Sequence, residues 1–326
     1  MRRAATLVAV LGAAAVTAHV APAASASVRQ VWVAAEPVTW NMMPNQRDAI
    51  TGTGFDPSVT VFPTVVYRRY SKDWGRALPN APARSGNQDL MPGPLIRARV
   101  GDRLRVHFKN LDTVFHNPHS MHFHGVHYRP SSDGAFLPGF SGPDAEVMPG
   151  ETYTYRLRAG RDSVGAWPYH DHSPSMEASI HGGMSGMLSI RGRSEPLPDR
   201  EFVVVFAPMG PPTGQTHQVA QPAITEFQTI DGRAFVGNTP VFRASVGQTV
   251  QWDVMGMGSE HHTFHVHGHR WRERDGTPRD TQTVGPAESF RIRWREQAPG
   301  TWLYHCHVEA HMAAGMIGIY RVSPGG

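Results

Sequence analysis

The chain has 326 residues, 40% of them hydrophobic, which is long enough for two ordinary domains with cores of their own. Its 31 basic and 27 acidic side chains leave a formal charge of +4. This small excess is spread along the sequence without the basic run of a nucleic-acid-binding arm, so we expect no nucleic-acid partner.

The N-terminus is typical of an export signal. Arg2 and Arg3 precede an apolar run that ends near Ala18, and small residues follow up to Ala26. No stretch approaches the roughly 18 apolar residues that a membrane span needs. We predict a signal peptide at residues 1–26 and a secreted or periplasmic mature chain. The paired arginines hint at twin-arginine export, but the rest of that motif is missing, so the route stays open.

Short alternating or apolar runs recur after this segment, separated by clusters of Gly, Pro, Asn and Asp. With 27 Pro and 33 Gly and little helical periodicity, this pattern predicts an all-β fold of the β-sandwich kind. The clearest predicted strands are Leu104–Phe108, Thr152–Leu157, Glu201–Phe206, Val250–Val254 and Phe290–Trp294.

The two halves of the chain repeat each other in order. Each half has a Val-Gly-containing strand, a His-x-x-His-x-His-Gly motif, a Pro-x-Glu turn and a Gly-x-Trp-x-Tyr-His-x-His motif. We predict a duplicated domain, with domains at residues 27–195 and 196–326. The boundary falls in the linker-like stretch 191–200.

Four His-x-His pairs stand at matching positions of this repeat. A single pair in a β protein is more often a hydrogen-bonded or surface pair than a metal site, but four pairs in register favour metal binding. The pairs are His122/His124, His170/His172, His265/His267 and His305/His307.

The only cysteine, Cys306, lies inside the last pair, with His311 and Met316 downstream. Imidazole, thiolate and thioether together suit copper, and two His with one Cys and a weak axial Met are the ligands of blue-copper sites. A metal-bound thiolate also explains a lone cysteine in an exported protein, where an idle thiol is an oxidation risk.

The spacing predicts how these ligands divide between sites. Side chains alternate along a strand, so His305 and His307 point one way and Cys306 the other. His262 can join Cys306, while His265 and His267 serve a second cluster. The first half has Asp171 where the second has Cys306, so we expect no blue-copper site there.

In these motifs the chain resembles the multicopper oxidases, specifically the two-domain bacterial laccases. Two segments of the first half, Val33–Trp40 and Gly93–Asp102, also resemble ceruloplasmin. The resemblance covers both predicted domains and implies two cupredoxin-like Greek-key β-sandwiches. It also implies four copper ions per functional unit, and no other cofactor.

Carried over residue by residue, the resemblance implies three kinds of copper ligand and two assisting residues. Tyr128 and Asp133 match positions near the trinuclear cluster, where the acid helps proton delivery and the tyrosine can lend an electron; Asp280 is a weaker candidate. The implied ligands are His262, Cys306, His311 and axial Met316 for type 1 copper, His122 and His265 for type 2, and His124, His170, His172, His267, His305 and His307 for type 3.

The resemblance further implies a homotrimer with the trinuclear cluster at subunit interfaces. Phenolic or similar one-electron donors would be oxidised and dioxygen reduced to water. Oxidation of ferrous or cuprous ions stays an alternative. A copper nitrite reductase, which needs its thiolate in the first domain, and a non-catalytic copper-binding protein fit the histidine set less well.

Overall fold

A computed structural model describes residues 27–87, 89–210, 227–273 and 275–325. The predicted signal peptide, 1–26, lies outside the described residues. All five strands predicted above are strands in the structure. Alternating apolar side chains pack one face of Leu104–Phe108, Thr152–Leu157 and Phe290–Trp294 against a core. The other two, Glu201–Phe206 and Val250–Val254, are buried on both faces. Within the described ranges no helix is long and apolar enough to cross a membrane.

The first half contains eight strands and two short helices. In chain order these are β1 (Val28–Asn41), α1 (Pro57–Thr60), β2 (Val61–Tyr70), β3 (Gly93–Arg99), β4 (Arg103–Asn110), β5 (His122–Phe123), β6 (Thr152–Arg158), β7 (Gly165–His170), α2 (Met176–His181) and β8 (Ser185–Arg191). Three 3-10 turns lie at Lys72–Trp74, Ala83–Ser85 and Pro130–Ser132.

The second half continues with strands and a single short helix in the described residues. These are β9 (Arg200–Met209), β10 (Phe227–Ile230), β11 (Val241–Ser245), β12 (Thr249–Gly256), β13 (His262–Val266), β14 (Trp271–Arg272), β15 (Pro278–Arg279), β16 (Thr281–Val284), β17 (Ser289–Arg295), β18 (Gly300–Cys306), α3 (Glu309–Ala313) and β19 (Ile317–Ser323).

Four main sheets carry the architecture, and the second pair repeats the topology of the first. Sheet I has the order β2-β1-β4-β6 and sheet II the order β3-β8-β7-β5; sheet III is β10-β9-β12-β17 and sheet IV is β11-β19-β18-β13-β16. β1 and β4 are parallel, as are β9 and β12. β3 and β8 are parallel, as are β11 and β19.

The sheets are stacked in the order I, II, III, IV, as the buried side chains reveal. One core lies between sheets I and II around Phe108, Phe123 and Tyr155. Another lies between sheets III and IV around Trp252 and Phe264. A smaller apolar cluster joins the halves, since it combines Leu95, Ala166 and Met187 with Val203, Val205, Met255 and Met257.

Buried polar groups also join the halves between sheets II and III. Arg291 on β17 donates to both carboxylate oxygens of Asp253 at 2.8 and 3.2 Å and to the carbonyl of Ile190 on β8 at 2.8 Å. Ser189 on β8 donates to Glu201 at 2.9 Å. Paired charges and shared acceptors offset the cost of burying these groups, and they hold the two halves in one orientation. The domain boundaries remain a prediction.

Candidate metal centres

The first candidate centre surrounds the cysteine. Cys306 ends β18 and His262 begins β13, and both side chains are fully buried. His311 on α3 completes the cysteine group, the name used below for these three residues; donor atoms of all three lie within 4.8 Å of one another. Nδ1 of His311 is 3.2 Å from Nδ1 of His262 and 3.7 Å from Sγ of Cys306.

Burial sets the protonation of the cysteine group. It raises the pKa of the Cys306 thiol, although the backbone N–H of Thr263 donates to Sγ at 3.3 Å and opposes that rise. Burial, and then the neighbouring His311, lower the pKa of His262 to about 3. The imidazole is therefore neutral with a free lone pair, and a metal bound here displaces the thiol proton.

Met316, predicted as the axial ligand, lies beside this group. Its side chain is fully buried, and its carbonyl accepts a hydrogen bond from the N–H of Cys306 at 3.1 Å. The helix α3 brings the chain back from Cys306 to this position and places His311 on the way. The strands β13 and β18, the helix α3 and the residue before β19 therefore bring all four predicted type 1 ligands into one region.

The second candidate centre is histidine cluster 2, which consists of His265, His267, His305 and His307. It lies at the end of sheet IV where β13 pairs with β18, and His265 is the register partner of His305. Nε2 of His267 is 3.1 Å from Nε2 of His305. The ring of His307 lies 5.4 Å from those of His265 and His305.

Histidine cluster 1 (His122, His124, His170 and His172) repeats this geometry in the first half. It lies where β5 pairs with β7 in sheet II, with His122 opposite His170. Nε2 of His124 is 3.2 Å from Nε2 of His170. The ring of His172 lies 5.3 Å from that of His122 and 5.7 Å from that of His170.

In both clusters the backbone fixes which ring nitrogen faces inward. Nδ1 of His122 donates to the carbonyl of Asp133 at 2.7 Å, and Nδ1 of His265 donates to that of Asp280 at 2.7 Å. His170 and His305 donate in the same way to the carbonyl of the following residue, at 2.9 and 2.8 Å. Such bonds select the tautomer and leave the lone pair of Nε2 free to bind a metal.

Burial keeps several of these imidazoles neutral. Burial, and then the neighbouring histidines, lower the pKa of His124 to about 4. Burial also lowers the pKa of His170 to about 4, although its hydrogen bond to the Asp171 carbonyl opposes this. Burial likewise lowers the pKa of His122, His267 and His305. Neutral imidazoles do not repel a cation, and their lone pairs can bind one. Each cluster is therefore suited to binding a metal ion.

The two clusters lie on different sheets of one chain. Cluster 1 belongs to sheet II and cluster 2 to sheet IV, and sheet III lies between them. Stacked sheets are about 10 Å apart, so roughly 20 Å separates sheets II and IV. Among the described residues no ring contact or hydrogen bond joins the clusters. The eight histidines therefore form two separate clusters within a single chain. Donor atoms of three members of each cluster lie within 4.8 Å of one another, and His172 and His307 adjoin these groups through ring contacts.

Tyr128 and Asp133, the predicted assisting residues, both lie beside cluster 1. The ring centroid of Tyr128 is 6.2 Å from that of His122, and a carboxylate oxygen of Asp133 is 3.4 Å from Nδ1 of His122. Burial and then the charge of Asp133 raise the pKa of Tyr128 to about 12, so the phenol keeps its proton. Asp280 touches His265 through its carbonyl, and its side chain is exposed.

A buried ion-pair network occupies the first-half position that corresponds to the cysteine group. His119 matches His262 and Asp171 matches Cys306 in the repeat. Nε2 of His119 is 3.2 Å from Asp112, and its Nδ1 is 3.5 Å from Asp171. All three side chains are at most 2% exposed. With two carboxylates instead of a thiolate, this position lacks the donors of a blue-copper site.

Two contacts around the predicted ligands of the second half were not predicted from the sequence. A carboxylate oxygen of Glu260 lies 3.4 Å from Nε2 of His311. His269 donates from Nδ1 to the carbonyl of His267 at 2.7 Å and contacts buried Glu296 through Nε2 at 3.1 Å. These contacts hold His269 directly beside His267 of cluster 2. The sequence signal for it was the His267-Gly-His269 run; Glu260 had none.

Comparison with known families agrees with this geometry. Two family models, both described as multicopper oxidase, match residues 82–195 and 207–326. Together they cover more than half of the chain.

Curated relatives are similar over most of this chain. A probable nitrite reductase-hydroxylamine oxidoreductase fusion protein of Kuenenia stuttgartiensis is 30% identical over 77% of this chain and 29% of its own length. Human ferroxidase HEPHL1 is 28% identical over 87% of this chain and 28% of its own length. Human ceruloplasmin is 29% identical over 79% and 26%, respectively. The chain thus spans less than a third of each relative.

Solved structures share the fold. A multicopper oxidase crystal structure matches with a TM-score of 0.65 and 22% identity over 91% of this chain and 88% of that chain. A copper nitrite reductase from Nitrosomonas europaea matches with a TM-score of 0.67 and 18% identity over 91% and 94%. At such identities the likeness concerns the cupredoxin-like fold alone.

The His119 network predicts a pH dependence of stability. Burial alone would lower the pKa of His119, but Asp112 and Asp171 raise it from 6.5 to about 9. Between these values the folded chain holds a proton that the unfolded chain releases. The free energy of unfolding should therefore fall, by about 3 kcal/mol, as the pH rises from 6.5 through 9.

Urea denaturation of the copper-depleted protein across this pH range measures the fall. The His119→Gln variant should lose it, whereas His116→Asn, at an exposed histidine, should retain it. An equal slope in wild type and His119→Gln would contradict the assignment of the charge to His119.

Proposed function

Because the chain belongs to the multicopper oxidase family, we propose that it is a laccase-like enzyme of this class. It oxidises phenolic or similar one-electron donors and reduces dioxygen to water. The observation that carries this proposal is the division of donors into a cysteine group and two histidine clusters. A simple copper carrier needs only the cysteine group, and the eight remaining histidines would then serve no purpose.

The donors fit copper in type and in protonation. Two imidazoles, a thiolate and a nearby thioether are the ligands of a blue-copper site, and neutral imidazoles bind the same metal elsewhere. We assign His262, Cys306, His311 and Met316 to type 1 copper. His122 and His265 are assigned to type 2. The type 3 pair takes the other six: His124, His170, His172, His267, His305 and His307.

When bound, copper supplies the one-electron chemistry and the reduction of dioxygen. The chain holds the copper ions in position, separates them from solvent and delivers protons. Cys306 is joined by single peptide links to His305 and His307, which gives the shortest covalent connection between the cysteine group and cluster 2. Asp133, with a side chain 41% exposed, can exchange protons with solvent beside His122. Tyr128, protonated, stands next to it.

The separation of the clusters supports assembly into a closed ring of identical subunits. A cluster with ligands from both halves needs cluster 1 of one subunit to face cluster 2 of its neighbour. Such a head-to-tail contact closes when the rotation is cyclic. We propose a homotrimer with a trinuclear site at each interface. The signal peptide predicted at residues 1–26 supports a secreted or periplasmic location.

The donor set argues against a nitrite reductase despite the shared fold. That function places its thiolate in the first domain, where this chain has Asp171. The carboxylate of Asp171 is bound by the N–H of Ser120 and the hydroxyl of Ser173, each at 2.7 Å. These bonds hold it in the buried network and away from a metal.

A metal ion is the second candidate donor, and one contact favours it. His311 has the more exposed imidazole of the cysteine group, with 14% of its side chain accessible, and Glu260 beside it is 48% accessible. Gln228 donates to the Glu260 carboxylate at 2.7 Å and orients it. A carboxylate at the accessible edge of a type 1 ligand can hold a ferrous or cuprous ion within electron-transfer distance.

Replacing the thiolate tests the oxidase assignment. Cys306→Ser should abolish the intense visible thiolate-to-copper absorption and lower oxygen uptake with a phenolic donor by at least about a hundredfold.

Reconstituted wild type should hold about four copper ions per chain, with type 1, type 2 and coupled type 3 signals in EPR and optical spectra. A clearly lower copper content would exclude the mechanism.

Subunit complementation tests the shared site. One variant carries His122→Ala and His124→Ala, the other His265→Ala and His267→Ala, and each alone should lack a trinuclear site. After co-refolding at equal amounts, about a quarter of the interfaces should pair the two intact clusters and regain activity. Complete lack of recovery, with oligomers of normal mass by light scattering, would mean that no site is shared.

Glu260 distinguishes the two donor classes. If it binds a metal ion, Glu260→Gln should lower kcat/KM for ferrous ion about tenfold and leave that for a phenol within about twofold. Glu309→Gln, at an exposed acid on the helix of His311, is the matched control. Equal small effects of both variants on ferrous oxidation would leave phenols as the favoured donor.

A further inference from the structure

An open hollow of about 480 Å³ lies on the outer face of sheet I, and none of the predicted metal ligands lines it. Its wall is made by β4, β6 and the loop after β5. Five arginines line it: Arg103, Arg105, Arg129, Arg156 and Arg158. All five are exposed. For a chain with a formal charge of only +4, this is a strong local concentration of positive charge.

Four of these arginines stand directly opposite one another on neighbouring strands. Arg103 is the register partner of Arg158, and Arg105 is the partner of Arg156. Like charges directly opposite on antiparallel strands destabilise a sheet. Two such pairs side by side, with Arg129 at the rim, therefore work against folding unless something neutralises them.

In the part of the chain that the structure describes, no carboxylate forms an ion pair with these arginines, although the hydrogen bond with His127 and, to a smaller extent, the charge of Arg158 lower the pKa of nearby Asp162. Among the described residues, none of the five guanidinium groups has a carboxylate oxygen within 4.0 Å. Other arginines do find partners, such as Arg68 with Glu36 at 2.6 Å and Arg97 with Glu201 at 2.6 Å. Asp162 lies near the rim, but it accepts a hydrogen bond from His127 at 2.8 Å.

The arginine charges lower the pKa of a neighbouring histidine. Burial lowers the pKa of His107, the next outward-facing residue on β4, and Arg105 and Arg156 lower it further. Within the described ranges, the five arginine side chains form a single hydrogen bond, from Arg156 to the carbonyl of Thr154 at 3.1 Å. Most guanidinium N–H groups therefore remain available to a ligand in the hollow.

From this arrangement we propose that the hollow binds a compact multivalent oxyanion, a small molecule with two or three carboxylate, phosphoryl or sulfonyl groups. A guanidinium group presents a planar fork of donors that matches an oxyanion in two hydrogen bonds. The volume falls in the range of small-molecule pockets, and the site is a hollow rather than a long basic stripe.

The anion site lies next to the candidate copper cluster. Tyr128 lines the hollow, and its ring is 6.2 Å from that of His122. A ligand in the hollow is thus one side chain away from histidine cluster 1. The proposal does not depend on the oxidase function, because binding can be measured without turnover.

Isothermal titration calorimetry on the copper-loaded full chain tests the proposal with three rigid aromatic probes. A naphthalene trisulfonate and benzene tricarboxylate represent the two oxyanion chemistries, and benzenesulfonate is the monovalent reference. At least one trianion should bind at least about tenfold more tightly than the monoanion, and more weakly as salt rises. The stronger trianion identifies the preferred chemistry.

The Arg105→Gln/Arg156→Gln double variant should weaken trianion binding by about tenfold or more. The matched control is Arg243→Gln/Arg321→Gln, which removes the same charge from another exposed cross-strand arginine pair, on β11 and β19. It should bind as the wild type does. Equal weakening in both variants, or no trianion binding, would overturn the proposal.

Thermal unfolding distinguishes a loss of anion binding from a loss of stability. Without anion, Arg105→Gln/Arg156→Gln should melt no lower than wild type, because the substitutions relieve repulsion. With trianion, wild type should melt higher and the double variant should not. If the double variant instead loses the wild-type oligomer in light scattering while trianions fail to bind, the face contacts another subunit and the anion site is wrong.

Discussion

The alternation of side chains along β18 is the constraint on which the site depends. Cys306 points into the core between sheets III and IV, while His305 and His307 belong to cluster 2 at the end of the sheet. Because β13 pairs with β18, the same alternation sends His262 to the cysteine and His265 and His267 to the cluster. Two centres of different chemistry are thereby joined by one peptide link on either side of Cys306.

The backbone that builds the sheets also orients the ligands. In each cluster, two histidines donate a hydrogen bond from Nδ1 to a main-chain carbonyl, so Nε2 faces the other rings. In the cysteine group the rings turn the other way, and Nδ1 faces inward. The tautomers are therefore chosen by the fold before any metal binds, which reduces the reorganisation that metal binding requires.

The two halves share one topology but bury different charges at corresponding positions. Where the second half buries a thiol and two neutral imidazoles, the first buries a charged histidine between Asp112 and Asp171. Ion pairs and hydrogen bonds thus satisfy the buried charges at that position. On the outer side of the same half, the arginine hollow has the opposite character, because none of its five arginines forms an ion pair with a described carboxylate.

The sequence by itself determined the all-β class, the repeat in two halves and the sets of histidine and cysteine donors. Alternation and motif spacing are local properties, and they carry over directly into strands. Only the tertiary structure decided that cluster 1 and cluster 2 lie on sheets separated by a third, that Glu260 meets His311, and that arginines on β4 and β6 face one another. These depend on strand register and sheet stacking, which are set by contacts between residues far apart in the chain and leave no mark on local spacing.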